Sequence, residues 1–556
     1  MAIYSLIFAL FCTCFLQAEE TPLPEQILFS VHSGDLPHAL DLYKAYKNKL
    51  GKNDHDLLQR ISLSILDQGF RSTKSEAQLL TIFGAGVSAN EQCLYILEEG
   101  LHHPNPQMQL VALGMLARYQ NDKGEEAITR ALGAPHLLIR LEALAHLAEN
   151  RHAHATHQIE ALMCKVDDEL LPIFPDYFAV VGDAAATRAL KKLLVHPKEK
   201  VRISAILTAA EHKRDDLLPQ IRRLATHHDL AQQEACAVAL GKLHDESLAP
   251  RLQEMAKSSA PTLRLAALYA LYRLGQKEAG KEIEKMALAN NLFAIPLLGK
   301  MTDTEESLYA LQKSTQLQVR INATLALLEK KDRRCLRTLA EILLPDSRDL
   351  YFEKIRSMSR GLSYWKAIPS GRQNYENDPS AYEIALELRE STLVKTAELP
   401  QEDFLQVSEA LLEHHQFEMI PTLIDLLEQL QTRETIALLK KYQQKAGAPL
   451  IRNTCNLALF NLKEPGPYAQ NLRNWITSQQ AEDLIQFRPY IPISQRDFIE
   501  NYELTPHETS RLLIKAFESF AKTQEDQGIE VLLQALSEGN PKNRYALAGL
   551  LLRASL

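Results

Sequence analysis

A spacing of about 31 residues, within the range typical of helical repeats, recurs from residue 78 to residue 283 and constrains the fold more than any other feature of this chain. Steps of 31 residues in both directions from Arg140 mark one reference position in each unit. We call this position the origin of the unit. The third position after the origin is small in every unit except one: Thr81, Ala112, Ala143, Phe174, Ala205, Cys236 and Ala267. The nineteenth position is always aliphatic: Leu97, Ile128, Ile159, Leu190, Ile221, Leu252 and Ile283. A unit of this length fits a pair of antiparallel helices, which bury their apolar faces only when successive pairs stack.

Composition agrees with a helical repeat protein. Apolar residues make up 46% of the 556 residues, as in ordinary folded proteins, and only 21 residues are glycine. Prolines fall between units, where a helix has to stop: Pro106, Pro135, Pro197 and Pro261. The net charge of −8 gives no reason to expect nucleic acid as a partner. The expected fold class is therefore all-α.

Two segments carry a resemblance to a known family. They are Arg140-Leu-Glu-Ala-Leu-Ala-His-Leu and Arg264-Leu-Ala-Ala-Leu-Tyr-Ala-Leu, which share the pattern Arg-x-x-Ala-x-x-x-Leu. This pattern resembles HEAT repeats, in particular the short bacterial HEAT-like repeats similar to those of phycobilisome lyases. The resemblance implies a right-handed α-solenoid, a superhelix of helix pairs, with a binding or scaffolding role. It implies no catalytic activity, because this fold hosts many functions.

The repeat spacing divides the chain into five predicted parts. These are a signal peptide at 1–18, an N-terminal helical cap at 19–77, regular repeats at 78–344, an aromatic and basic insertion at 345–380, and divergent helical repeats with a C-terminal cap at 381–556. Within the regular part the spacing becomes shorter after Arg264. The next arginine that matches the pattern is Arg320, and its distance from Arg264 is slightly less than two repeat lengths. That distance leaves room for two shorter units.

The N-terminal run predicts export. Residues 3–16 are apolar and uncharged, and they are followed by Ala18 and two glutamates, which is typical of a signal peptide. The run is too short to span a bilayer comfortably, so we expect no transmembrane span after cleavage. The mature protein would be periplasmic or secreted. If the run is instead a helix docked on the array, the protein would be cytoplasmic.

Basic residues of the second helices form one candidate binding surface. They are Arg188, Lys191, Lys192, Arg222, Arg223, Arg251 and Lys257. Residues 188–257 carry 13 Lys and Arg against 9 Asp and Glu, a local charge of +4 in an acidic chain. By resemblance the second helices line the concave face, which would then attract an acidic protein. The alternative is a solvated helix face without a partner.

The insertion at 345–380 is the other candidate. Tyr351, Phe352 and Trp365, together with several arginines, are residue types enriched at interaction hot spots. Its Gly, Pro and Asn residues are typical of loops. The alternative is that these aromatic residues pack onto the repeats and fill the break in the register.

Catalytic motifs give little support to an enzyme. Gly-rich phosphate loops and nucleophile elbows are missing from the sequence, and a His-Glu pair occurs only at His507-Glu508. Cys236 and Cys455 fall at the small core position, so buried thiols are expected there. We therefore predict no catalytic residues, no metal and no cofactor.

The function that the sequence favours is an exported bacterial scaffold that binds a protein partner with an acidic surface, and no nucleic acid. Two alternatives stay open. One is a lyase-like or metal-dependent hydroxylase-like solenoid enzyme, and the other is a structural component of the cell envelope.

Overall fold

The computed structural model describes residues 23–119, 121–344, 350–369, 379–445, 447–486 and 503–556. The predicted signal peptide lies outside these residues. The chain forms two compact units. Unit 1 comprises residues 1–139, 472–489 and 506–556, and unit 2 comprises residues 140–471 and 490–505.

Unit 1 is built from helices contributed by both ends of the chain. Its N-terminal helices are α1 (Pro24–His32), α2 (Leu36–Leu50), α3 (His55–Phe70), α4 (Ser75–Ser88), α5 (Leu94–Leu101), α6 (Pro106–Leu116) and α7 (Asp122–Ala131). Helix α8 (Leu137–Glu149) begins in unit 1 and continues into unit 2. Its C-terminal helices are α28 (Pro506–Thr523), α29 (Asp526–Glu538) and α30 (Arg544–Ala554).

Unit 2 contains most of the regular repeats. Its helix pairs are α9 (Ala155–Met163), α10 (Phe174–Val181), α11 (Ala184–Leu193), α12 (Glu199–Glu211), α13 (Leu218–Leu224), α14 (Leu230–Lys242), α15 (Ala249–Met255), α16 (Pro261–Arg273), α17 (Lys277–Leu288), α18 (Ile295–Leu298), α19 (Glu305–Leu311), α20 (Leu317–Glu329) and α21 (Leu336–Leu343). After the insertion come α22 (Pro379–Thr396), α23 (Gln401–Glu413), α24 (Ile420–Leu430), α25 (Arg433–Lys445) and α26 (Pro449–Asn461). Helix α27 (Tyr468–Ser478) then leads back into unit 1.

Burial confirms the register of the repeat. All seven residues at the third position, Phe174 included, are fully inaccessible to solvent. The seven aliphatic residues at the nineteenth position are at most 1% exposed. The first helices, which carry the third position, stack on one another from α10 through α12 and α14 to α16. Phe174 is accommodated because its unit opens with a short 3₁₀ turn and a shorter first helix, α10.

Left-handed backbone residues mark the same repeat independently. A residue with positive φ follows the first helices at Arg151, Gly182, Lys213, His244 and Gly275, at equal steps that match the sequence repeat. Asn290 follows the second helix α17, and the next positive-φ residues that follow first helices are Asp303 and Lys331, at equal but shorter steps. The predicted shorter spacing between Arg264 and Arg320 is therefore confirmed as two shorter units.

The insertion contains a β-hairpin that the sequence did not predict. Strands β1 (Leu350–Arg356) and β2 (Ser363–Pro369) pair antiparallel, with Phe352 opposite Ala367. Residues 357–362 connect the two strands. Period-two alternation of apolar and charged residues does not reveal these strands, whose sequences are Leu-Tyr-Phe-Glu-Lys-Ile-Arg and Ser-Tyr-Trp-Lys-Ala-Ile-Pro.

The last helix of the chain lies in the core of unit 1. Helix α30 packs against α3 and α4 near the N-terminus and against α28 and α29. Gly549 of α30 meets Gly84 of α4 so closely that a Cβ atom on Gly549 would overlap the carbonyl oxygen of Gly84. Glycine at both positions thus permits the two backbones to touch.

The helices of the described residues were also compared with the length and hydropathy that a bilayer requires. None of them is both long and apolar enough to cross a membrane.

Candidate functional site

The basic residues predicted on the second helices differ in their solvent exposure and in whether they form ion pairs. Arg188, Lys192, Arg223 and Lys257 are exposed, whereas Lys191, Arg222 and Arg251 are half-buried. Lys192 lies 3.7 Å from Glu160. Among the described residues, Arg188, Arg223 and Lys257 form no ion pair, so these three charges are available to solvent.

Arg222 is engaged in the repeat itself. Its guanidinium donates to both carboxylate oxygens of Asp245, at 2.8 and 2.9 Å, and Asp245 is only 5% exposed. Burial opposes ionisation of Asp245, but hydrogen bonds from Arg222 and Ser247 outweigh it and hold the pKa of this carboxyl below its usual value. Arg222 therefore satisfies a buried carboxylate and is a structural residue.

Arg251 is tied down in a similar way. Its Nε donates to the carbonyl oxygen of Ala225 at 3.2 Å, and its Nη1 donates to Glu254 at 2.7 Å. The second-helix surface consequently offers fewer free cations than its composition indicates.

The aromatic residues predicted in the insertion take different positions in the hairpin. Phe352 is 1% exposed and packs with Ile321, Ile342, Ala367, Ala385 and Leu388 in one core cluster. Trp365 is half-buried at the edge of that cluster. Tyr351 lies in β1 opposite Ile368, and its side chain is outside the described part. Phe352 thus packs onto the repeats, as the second interpretation of the insertion predicts.

Asn322 of helix α20 binds the main chain of strand β2. Its Oδ1 accepts from the backbone N–H of Trp365 at 2.9 Å, and its Nδ2 donates to the carbonyl oxygen of Trp365 at 2.6 Å. Gln318, one turn earlier on α20, donates to the carbonyl oxygen of Ala367 at 3.5 Å. The side chains of one helix therefore occupy the hydrogen-bonding groups on the outer edge of β2.

Glu234 of helix α14 holds the tip of the hairpin. Its carboxylate is fully buried and accepts hydrogen bonds from the backbone N–H (3.2 Å) and the hydroxyl of Ser359. Thr262 of α16 donates to the other oxygen at 2.5 Å. These neutral donors satisfy Glu234, and no Lys or Arg of the described residues forms an ion pair with it. An unsatisfied buried carboxylate would be very costly, so this contact fixes the tip.

Two further contacts place the hairpin along the first helices. The ring of Tyr364 meets Phe293, next to α18, edge to face with 4.9 Å between centroids. Gly361 lies against Leu207 of α12 and Val238 of α14. The hairpin therefore runs over the first helices from α12 to α20 and reaches α22 through Phe352.

The hairpin carries a net positive charge, and most of its cations are exposed. Residues 350–369 contain four basic residues and one glutamate, a net charge of +3. Lys354, Arg356 and Arg360 are exposed, and Met358 between them is 48% exposed. The ammonium of Lys354 lies 5.4 Å from the Trp365 ring, and Glu353 lies 3.8 Å from Lys366 across the strands. We call Lys354, Arg356, Met358 and Arg360 the hairpin surface.

Sequence reasoning missed the two polar anchors, although a signal existed for one. Glu234 follows its origin by one position, where the other six units have Leu79, Leu110, Leu141, Pro172, Ile203 and Leu265. A carboxylate at a repeat position that is aliphatic in five of the other six units indicates a special contact. Asn322 has no comparable signal, because the equivalent positions vary in type.

In the described part of the chain, the two cysteines at the small core position are buried, and no group of side chains forms a metal site. Cys236 and Cys455 are free and buried as predicted, and burial raises the pKa of both thiols. Within the same residues, no three His, Cys, Asp or Glu side chains gather where they could hold a metal ion.

These features define the class of protein: an all-α protein with a HEAT-like fold of stacked helix pairs. More particularly, residues 187–291 match the family model of HEAT repeats, and the HEAT-repeat prediction is confirmed there. The likeness to phycobilisome lyase repeats is not confirmed. None of the curated proteins matches the sequence.

Among solved structures, the chain is similar to a Kap121p mutant, with a TM-score of 0.30, 11% identity and coverage of 96% of this chain and 77% of that one. Importin beta gives a TM-score of 0.30 at 12% identity, with coverage of 94% and 75%. UNC-45 from Drosophila melanogaster gives 0.23 at 14% identity, with coverage of 93% and 71%. Similarity at this level carries no information about partners.

Proposed function

We propose that this protein is an interaction scaffold whose binding site is the hairpin surface and whose partner is an acidic protein. The observation that carries the proposal is the contrast between the anchored and the exposed parts of the hairpin. Asn322 holds the edge of β2 and Glu234 holds the tip through specific hydrogen bonds. The cations Lys354, Arg356 and Arg360 of β1 and the connecting residues remain exposed.

Charge complementarity supports an acidic partner. A cluster of exposed cations on an acidic chain attracts negatively charged surfaces and accelerates their association at low salt. The exposed Met358 adds an adaptable apolar contact in the middle of these cations. Rigid seating of the hairpin keeps the entropic cost of binding low, since the surface is ordered beforehand.

Site-specific crosslinking tests the proposal. A photoreactive amino acid replaces Met358, 48% exposed, or Leu288 on the second helix α17, 49% exposed, as a matched control. Irradiation of cells that naturally make the protein should give discrete crosslinked protein bands from position 358 and few from position 288. Equal labelling at the two positions, or bands at position 288 alone, would refute the hairpin surface as the binding site.

Charge reversal gives a second control in the same experiment. The triple change Lys354→Glu, Arg356→Glu and Arg360→Glu should abolish the crosslinks from position 358. The equivalent change at the free second-helix cations, Arg188→Glu, Arg223→Glu and Lys257→Glu, adds the same charge elsewhere and should leave them intact. The opposite pattern would assign binding to the second helices.

A further inference from the structure

The strand register shows which backbone groups of the hairpin point outward. In an antiparallel pair, opposite residues alternate between pairs that exchange both backbone hydrogen bonds and pairs whose N–H and C=O face away. Asn322 binds both the N–H and the C=O of Trp365, so Trp365 belongs to the second kind. Its partner across the strands is Lys354.

The same alternation fixes the outer edge of strand β1. Arg356 opposite Ser363 and Phe352 opposite Ala367 are also pairs of the second kind, because they lie two residues away from Lys354 in either direction. The hairpin turn agrees with this assignment, since the N–H of Ser357 donates to the carbonyl oxygen of Leu362 at 2.9 Å. The N–H and C=O of Lys354 and Arg356 therefore face away from β2.

Among the described residues, the two edges of the hairpin differ in their hydrogen bonds. On β2, Asn322 and Gln318 take up the outward groups of Trp365 and Ala367. On β1, helix α22 packs at Phe352, but the outward N–H and C=O of Lys354 and Arg356 make no hydrogen bond to any residue that the structure describes, and both side chains are exposed. An exposed strand edge with unpaired groups is a template for an added strand.

We infer that strand β1 binds an extended acidic segment of the partner as a third, antiparallel strand. This inference rests on the proposed function and names the form in which the partner binds. Lys354 and Arg356 lie two residues apart and therefore share one face of the sheet, on which Phe352 is buried against the repeats while the two cations are exposed. A partner strand with acidic residues at alternate positions places one carboxylate opposite each cation, a favourable cross-strand pair.

Charge also selects this occupant over a second copy of the chain. Pairing of two β1 edges would bring Lys354 and Arg356 of one copy next to the same cations of the other. Like charges opposite one another are destabilising in a sheet, and lysine on an edge strand opposes self-association. An acidic strand relieves the repulsion that another copy would create.

Synthetic peptides test the inference on the full chain. The probe is a labelled peptide of about eight residues, a common strand length, that alternates glutamate with threonine. When the glutamates lie opposite Lys354 and Arg356, their N–H groups point to β1 and the threonine N–H groups point away. N-methylation of the glutamates removes the donors to β1, whereas N-methylation of the threonines is a matched control with equal charge and equal methyl count.

Fluorescence anisotropy should show that N-methylation of the glutamates weakens binding at least about tenfold, which corresponds to the loss of a hydrogen bond. N-methylation of the threonines should change affinity by less than about twofold, and Lys354→Glu with Arg356→Glu should abolish binding of the unmodified peptide. No binding of the unmodified peptide would overturn the inference. Equal binding of both methylated peptides that still needs Lys354 and Arg356 would also overturn strand addition, yet leave the proposed function standing.

Sedimentation of the protein alone tests whether a second copy of the chain binds at the edge of strand β1. We expect no dimer that depends on this edge. A dimer that Lys354→Glu dissociates would assign β1 to a second copy and overturn the inference.

Discussion

Two junctions between distant segments of the described chain are formed by opposite means. In unit 1, the C-terminal helix α30 meets α4 through Gly84 and Gly549, with backbone against backbone and no side chain between. In unit 2, the hairpin meets the first helices through the side chains of Asn322 and Glu234. The first junction is possible because glycine has no side chain, and the second is held by directed hydrogen bonds.

This difference separates a structural contact from a functional one. Glycine packing tolerates no added atom and offers no group that a partner could bind. Side-chain hydrogen bonds position an accessory element through a few groups and leave its other side chains free. The cations of the hairpin surface are exposed, whereas α30 is almost entirely buried between its neighbours.

The largest expected effect tests the glycine junction. Gly549→Ala should destabilise unit 1 by about 3 kcal/mol or more, because the new methyl group has to displace the backbone of Gly84. Urea unfolding followed by circular dichroism measures the change. Gly114→Ala is the control, since nothing lies within 4 Å of a Cβ there and the helix favours alanine. It should stabilise the protein by about 0.4–1 kcal/mol. Equal effects of the two changes would contradict a close-packed junction.

An intermediate effect is expected at the polar junction. Asn322→Ala leaves the N–H and C=O of Trp365 without partners and should reduce the protection of β2 amides by about 1–3 kcal/mol in hydrogen exchange. Asn322→Asp replaces the donor by a buried carboxylate oxygen that faces the carbonyl oxygens of Trp365 and Gln318, so its effect should be at least as large as that of Asn322→Ala. Helix α30 should keep its protection in both variants. A uniform loss across the chain would show that the two junctions are not independent.

The smallest effect distinguishes the two regions by their response to acid. The depressed pKa of Asp245 means that its ion pair with Arg222 stabilises unit 2 above the unfolded pKa of about 3.9 and is lost as pH falls through the lower folded value. Amide protection in α13 and α14 should therefore decrease as the pH falls below about 4. Asp245→Asn should flatten this dependence. If wild type and variant respond alike, the pair does not contribute.

The sequence predicted the repeat core well because one physical rule repeats. A helix pair has to bury its small and aliphatic positions, so Ala143 or Ile221 can be assigned from spacing alone. The same reasoning placed the shorter units after Arg264 and the buried Cys236. It also pointed to residues 345–380 as the region where the rule stops.

The candidate site could be predicted only in part. The cations of the hairpin are visible in the sequence, but Lys354 and Arg356 share a strand face with the buried Phe352, so their exposure does not follow from alternation along the strand. The pairing of Asn322 with Trp365 joins residues 43 positions apart and has no periodic signal. Arg222 was assigned to binding because composition does not reveal that Asp245 is buried beside it.

The left-handed turn residues of unit 2 have a practical consequence for engineering. Equivalent turns are occupied by glycine at Gly182 and Gly275 and by larger residues at Lys213 and His244. Left-handed backbone costs a non-glycine residue roughly 1 kcal/mol, so each such turn is a separate point at which one repeat can be made firmer or looser. These turn residues hold none of the hairpin anchors. The stiffness of the scaffold can thus be tuned repeat by repeat while the chemistry it displays stays the same.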